Sequence, residues 1–218
     1  MPFLVKICGL TTPEAVETAV TAGADMIGLV FFPPSPRHVG LVPARALAQR
    51  ARGKAEIVAL TVDADDLTLD TIIETIQPDR LQLHGHEDCE RVRAIRARYG
   101  VPVIKAFGIS EAADLDRLEA YRPCVDLFLL DAKPPKGATR PGGNGARFDW
   151  SILDQLPKDL RFLLSGGLTP DTVGPAVART RPTGVDVSSG VEIGPGIKDP
   201  ALISAFVRAA REALAPAG

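Results

Sequence analysis

The chain has 218 residues, 45% of them hydrophobic, which is enough for one large α/β domain with a sizeable core, or for two small domains. Its 25 basic and 27 acidic residues leave a formal net charge of −2, which gives no general attraction for nucleic acid or an anionic membrane. An anionic ligand would have to be held by a local site, and with no stretch near the ~18 apolar residues of a membrane span, a cytoplasmic protein is expected.

Short apolar runs alternate with amphipathic segments. The runs are 3–7, 26–31, 56–61, 80–83, 103–106, 126–130, 161–164 and 185–187. Several are nearly continuous in apolar residues, as strands covered on both faces are. Thr12-Pro13-Glu14 opens the first helix with a cap, a first-turn proline and a carboxylate near the positive dipole end. Pro43 opens the second, and Asp65-Asp66 precede the third. Glu87 starts a charged fourth helix ending near Gly100. Ser110-Glu111 cap a fifth, running to about Tyr121. Asp149 precedes a short sixth, Thr169-Pro170-Asp171 opens the seventh, and Asp199-Pro200 starts the last, which ends near Ala213. Eight βα units of this length predict a single-domain (β/α)8 TIM barrel over residues 1–218. An open doubly wound sheet is the alternative, weakened because no GxGxxG follows the first strand.

Two connections are long, 32–42 after strand 2 and 132–148 after strand 6. Both lie on the strand-to-helix side, where barrel active sites form. The second carries Gly137, Gly142, Gly143 and Gly145. The strand ends on this face are polar: Lys6 and Cys8, the 32–37 loop, Asp63, Gln82 and His84, Lys105, Asp131, Ser165–Gly167, then Asp186 and Ser188–Gly190.

The loops after strands 7 and 8 read Leu-Ser-Gly-Gly-Leu (164–168) and Val-Ser-Ser-Gly-Val (187–191). Glycine brings backbone N–H groups close, serine adds donors, and this pair of loops often forms a barrel's phosphate site. Gly166, Gly167, Ser188, Ser189 and Gly190 are therefore candidate phosphate ligands; ordinary turns are the plain alternative. Cys8 ends strand 1 facing the site, with Lys6 on the same side of the strand. A thiolate there can act as base or nucleophile, whereas Cys89 and Cys124 read as inert buried thiols. No CxxC spacing suggests zinc or a disulfide framework. Asp131 ends an apolar run, where desolvation would keep it protonated as an acid, unless it caps a helix or pairs with Lys133. Arg37, in a loop stiffened by Pro33, Pro34 and Pro36, suits a carboxylate, or else is simply solvated.

The runs KICGLT (6–11), FFPPSPR (31–37), LQLHG (81–85), LLDAK (129–133), FDW (148–150), LSGGL (164–168) and GVDVSSGVE (184–192) resemble phosphoribosylanthranilate isomerases, in the family's order and over essentially the whole chain. The resemblance implies an Amadori rearrangement of a phosphoribosyl-anthranilate in tryptophan biosynthesis, without cofactor or metal. It makes Asp131 the general acid, Cys8 the general base, and Arg37 the ligand of the anthranilate carboxylate. Gly166, Gly167 and Ser188–Gly190 would hold the phosphate, Asp186 would contact a sugar hydroxyl, and His84 would either line the site or orient a neighbour. The chain departs from the family pattern at Asn144, where threonine is more usual, and in a proline-rich stretch over 133–141. The related histidine-pathway isomerase is one rival, but is expected to carry aspartate where this chain has Cys8. A barrel that binds a phosphorylated ligand without turnover is the other. The expected partner is the small phosphorylated substrate, with neither nucleic acid nor membrane. A monomer is preferred over a homodimer.

Overall fold

The computed structural model describes residues 3–134, 137, 142, 143, 145 and 147–214. Eight parallel strands close into a barrel in sequence order. They are β1 Leu4–Cys8, β2 Met26–Phe31, β3 Glu56–Thr61, β4 Arg80–Leu83, β5 Val103–Ile109, β6 Leu127–Ala132, β7 Phe162–Leu164 and β8 Gly184–Val187. β8 returns to β1 with Lys6 paired to Asp186 in register. The (β/α)8 fold expected from the alternating pattern is the fold observed.

The helices ring the barrel: α1 Pro13–Ala22, α2 Leu41–Ala51, α3 Asp66–Ile76, α4 Cys89–Tyr99, α5 Leu118–Tyr121, α6 Pro170–Thr180 and α7 Pro200–Glu212. Thr12, Asp65, Asp88 and Asp199 cap α1, α3, α4 and α7 by accepting backbone N–H bonds. α7 buries Ile203, Phe206, Val207 and Ala210, the stripe that a 3.6-residue period turns toward a sheet.

Alternation divides the core. One face of each strand packs under the helices, for example Val5, Ile7, Ile27, Leu29, Ile57 and Ala59. The other fills the barrel with Met26, Val58, Ile104, Leu127, Leu129 and Leu163. The opposite edge of the barrel carries a repeated device. The residue just before each even-numbered strand accepts the N–H of a residue at the start of the odd strand beside it. Asp25 accepts from Val5 at 2.7 Å, Asp79 from Ile57 at 2.8 Å, and Asp126 from Val103 at 2.8 Å. The Thr183 hydroxyl does the same for Phe162 at 3.2 Å.

Several boundaries differ from the sequence pattern. β5 runs to Ile109 because Gly108 and Ile109 continue pairing with Asp131 and Ala132. Asp131 thus sits inside β6. The fifth helix breaks into a 3-10 turn, Ala112–Leu115, and the single turn of α5. There Asp114 folds back to accept from Ser110 N, Ser110 Oγ and Glu111 N. The sixth segment, Trp150–Gln155, is also 3-10. A short antiparallel hairpin, β9 Glu192–Gly194 and β10 Ile197–Lys198, precedes α7 and has no signal in the hydrophobic pattern. Cys124 is buried as expected, but Cys89 is only half-buried at the start of α4. Asn144, residues 135–136 and residues 138–141 lie outside the described residues.

Candidate active site

Since the inward face recurs every second residue, the last turns of the strands aim a defined set at the barrel mouth. One pocket there is lined by Cys8 from β1, Arg37 from the β2 loop, Gln82 from β4 and His84 just after it. Asp131 from β6, Ser165–Gly167 after β7, and Asp186 and Ser188–Gly190 from β8 and its loop complete the wall. Gly142, Gly143 and Gly145 of the β6 loop also line it. Every candidate named from the strand ends is in this wall except Lys6, Asp63 and Lys105.

Lys6 lies beneath the pocket, fully buried, and donates to Asp186 Oδ1 at 2.6 Å. Burial works against its charge, but Asp186 and Cys8 beside it hold the ammonium above its ordinary value. Asp186 also accepts from Ser165 Oγ at 3.2 Å. Asp63 and Lys105 are spent on structure. Asp63 pairs with His86 at 2.9 Å. Lys105 pairs with buried Glu87 at 3.1 Å and donates to Gly85 O at 2.8 Å. Lys105 shares the outward face of β5 with Val103 and Phe107. Glu87, read as the start of α4, is the buried anion of this pair, and Asp88 is the cap.

Burial is the largest influence on Asp131, raising its carboxyl to about 7, with the nearby Asp186 charge adding to the rise. It accepts from its neighbour's amide, Ala132 N, at 2.9 Å. The alternative pairing with Lys133 does not occur, because Lys133 bonds Asp114 at 2.9 Å. Burial likewise pushes the Cys8 thiol above its ordinary value, against the pull of Lys6. Gly28 makes room for this pair: a Cβ there would lie 2.8 Å from Cys8 Sγ and 3.2 Å from Lys6 Nζ.

His84 is neutral, its imidazole lowered to about 4 first by burial and then by the Lys105 charge. Nδ1 faces the Gln82 amide nitrogen at 3.1 Å, and Nε2 lies 3.6 Å from Asp131 Oδ2. The Gln82 amide donates, so Nδ1 accepts and Nε2 carries the proton toward Asp131.

The β7 and β8 loops meet at one end of the pocket. Gly166 and Gly167 have φ of +90° and +63°, the left-handed region that suits glycine. Ser188 Oγ donates to Cys8 O at 3.1 Å, tying the β8 loop to the end of β1. Arg37 is not solvated: it is 4% exposed, and its Nε and Nη2 each bond Glu192 at 2.7 Å. Nη2 also donates to Gly143 O at 3.2 Å. Glu192 and Lys198 are the site residues that strand-end reasoning missed. They lie on the hairpin after β8, where only the closing glutamate of the 184–192 motif marked them.

Chemically, the pocket offers a carboxyl that titrates near neutrality, a thiol beside an ammonium, a neutral imidazole, an arginine in its wall and Gly/Ser loops at one end. Among the described residues, no group of three or more His, Cys, Asp or Glu side chains is placed to hold a metal ion. No helix of the described residues is long and apolar enough to cross a membrane.

The model of the N-(5'phosphoribosyl)anthranilate (PRA) isomerase family matches residues 5–209. The N-(5'-phosphoribosyl)anthranilate isomerase of Bradyrhizobium sp. (strain BTAi1) is 58% identical over 213 residues, 98% of this chain and 97% of that protein. The solved phosphoribosyl anthranilate isomerase of Thermotoga maritima superposes with a TM-score of 0.87 at 37% identity, covering 97% of this chain and 100% of that one. Another solved isomerase holds reduced 1-(o-carboxyphenylamino)-1-deoxyribulose 5-phosphate. It matches with a TM-score of 0.82 at 34% identity, over 97% and 100% of the two chains. With its barrel, its barrel-mouth pocket and matches along nearly its whole length, the chain belongs to the N-(5'-phosphoribosyl)anthranilate isomerase family.

Proposed function

We propose that this chain converts N-(5-phosphoribosyl)anthranilate into 1-(2-carboxyphenylamino)-1-deoxyribulose 5-phosphate, a step of tryptophan biosynthesis, with Asp131 as acid and Cys8 as base. One observation carries the reading. A carboxyl raised to about 7 and a thiol beside a buried ammonium line one pocket, which has an arginine in its wall and Gly/Ser loops at its β7–β8 end. Asp131 protonates the furanose ring oxygen, the C1–O bond breaks, and the anilino nitrogen's lone pair forms the C=N⁺ of a Schiff base. The Cys8 thiolate takes the C2 proton, and the C2–H electrons move toward the iminium nitrogen. The enolamine that results tautomerises to the aminoketose. The iminium is the electron sink, so the chemistry needs no cofactor.

Arg37 receives the anthranilate carboxylate, and the loops Gly166–Gly167 and Ser188–Gly190 receive the phosphate. Asp186 faces a sugar hydroxyl while holding Lys6 close to Cys8. His84, neutral and with its proton on Nε2, donates toward Asp131 or the substrate oxygen beside it. A cytoplasmic monomer fits this reading. Among the described residues, the large exposed apolar side chains are few: Val42 on α2, Leu67 on α3, Ile193 and Ile197 on the hairpin, and Leu214 just past α7. Light scattering of the purified protein tests the monomer.

The test of function is turnover of freshly generated phosphoribosylanthranilate, followed by loss of its fluorescence. Wild type should be active, and Cys8→Ala and Asp131→Ala should each lose at least ~10²-fold in rate. An inactive but folded wild type would overturn the assignment.

A further inference from the structure

The reaction above leaves Glu192 without a part, yet its side chain is 4% exposed and receives four donors. Arg37 Nε and Lys198 Nζ each reach Oε1 at 2.7 Å. Arg37 Nη2 reaches Oε2 at 2.7 Å, and Gly196 N reaches it at 3.2 Å. Burial would raise this carboxyl, but the Arg37 hydrogen bonds and the Lys198 charge hold it below its ordinary value. Lys198 Nζ in turn donates to Ser188 O at 2.8 Å and lies 3.3 Å from Ser188 Oγ. A Cβ on Gly196 would run into Pro36 O, so the hairpin tip lies directly against the Arg37 loop.

The bidentate bond takes up the Nε edge of the guanidinium and fixes its plane. Two formal cations share one carboxylate, so the cluster keeps one formal positive charge for an incoming anion. We infer that Glu192 is a positioning residue for the substrate carboxylate: it sets the orientation of Arg37 and, through Lys198, ties that arginine to the Ser188 loop. The inference rests on Arg37 receiving the carboxylate. All four contacts of Glu192 are donors, two on each oxygen, so in either orientation Glu192→Gln would turn its amide N–H₂ against two of them, one from Arg37, and loosen that arginine.

The probes are the reduced carboxyphenylamino-deoxyribulose phosphate and the same compound lacking its ring carboxylate, with Kd measured by calorimetry. Wild type should bind the carboxylated probe at least ~10-fold tighter, the scale of a charge-assisted bond, and Arg37→Ala should abolish the preference. If wild type shows no preference, or Arg37→Ala keeps it, the role of Arg37 fails and the inference fails with it. With those two results as expected, Glu192→Gln should reduce the preference below ~3-fold and leave Kd for the carboxylate-free probe within ~2-fold. In turnover, its KM should rise ~10-fold with kcat within ~3-fold. A folded Glu192→Gln protein with the wild-type preference would overturn the positioning role and spare that of Arg37. Equal weakening of both probes, or a loss confined to kcat, would also overturn it. Should Glu192→Gln fail to fold, Glu192→Asp keeps the charge and shortens the reach. An intermediate preference is then expected, and the full wild-type preference overturns the role.

Discussion

At Asp131 two demands conflict. The carboxyl is needed as an acid, and burial raises it to about 7, whereas an unfolded chain would titrate it at about 3.9. The folded value is the higher one, so the protonated form stabilises the fold. That contribution is complete below pH ~4 and is lost as pH rises through about 7. Asp131→Asn cannot ionise and should escape the loss. Thermal unfolding across pH should show wild type and variant alike near pH 4, with the variant more stable above pH 7. The gap has an upper bound of about 4 kcal/mol, three pKa units at 1.36 each. A variant no more stable at pH 8 would mean that Asp131 is not held protonated by burial. The order of titration also shapes catalysis. Cys8 sits above the ordinary thiol value of about 8.5, so the acid titrates before the base. The form with protonated Asp131 and Cys8 thiolate is then a minor tautomer of the singly protonated pair. Its share is level between the two pKa values and falls outside them. Hence kcat/KM should rise from pH 5 to about 7, stay level, and fall only beyond the ordinary thiol range. Thiolate absorbance near 240 nm, taken as wild type minus Cys8→Ala, should be absent at pH 7. A thiolate already present at pH 7 would contradict that order. Cys8 and Asp131 were legible from sequence because each directly follows an apolar run. The depth of their burial was not, since it comes from neighbours on β2, β4 and β8.

At the scale of elements, the barrel separates what holds it from what it does. The bonds from Asp25, Asp79, Asp126 and Thr183 lie where strands begin, and the pocket lies where they end. Asp79→Ala should thus cost about 1 kcal/mol, a few degrees in Tm, and leave kcat/KM unchanged. Altered kinetics would show that the two ends are coupled. The β7 and β8 loops behave in the opposite way. A Cβ on Gly190 would run into Leu168 O, so the loops approach as closely as they do only because position 190 carries no side chain. Gly190→Ala should spread them and raise KM for the phosphorylated substrate. The eight strands, and the capped starts of α1, α3 and α7, could be read from local pattern because continuous apolar runs and caps are local signals. The segment read as the fifth helix could not, because the fold-back of Asp114 competes with helix over a few residues. The β9–β10 hairpin was equally hidden. What keeps it is Glu192 gripping Arg37 from 155 residues away, a contact that no local window contains.

Over the whole molecule, the interior of the barrel changes character along its axis. Met26, Val58, Ile104, Leu127 and Leu163 fill it as a dry core. Nearer the mouth come Lys6 and Asp186, then Cys8 and Asp131. An ion pair with side-chain exposures of 0% and 6% gives up the hydration of two charges, so its attraction is largely offset by desolvation. It is therefore poorly explained as a stabilising device, whereas its place under Cys8 suits a role in holding charge at the reacting centre. This separates stability from function experimentally. Lys6→Met alone strands the Asp186 charge and should cost about 3–5 kcal/mol, removing activity as well. Lys6→Met combined with Asp186→Leu replaces both charges with apolar side chains on neighbouring strands that extend the dry core by one layer. The double variant should recover wild-type stability or exceed it in thermal and urea unfolding, yet stay at least ~10²-fold below wild type in turnover. Recovery of activity together with stability would show that the pair serves only packing. Recovery of neither would show that the fold depends on its charges.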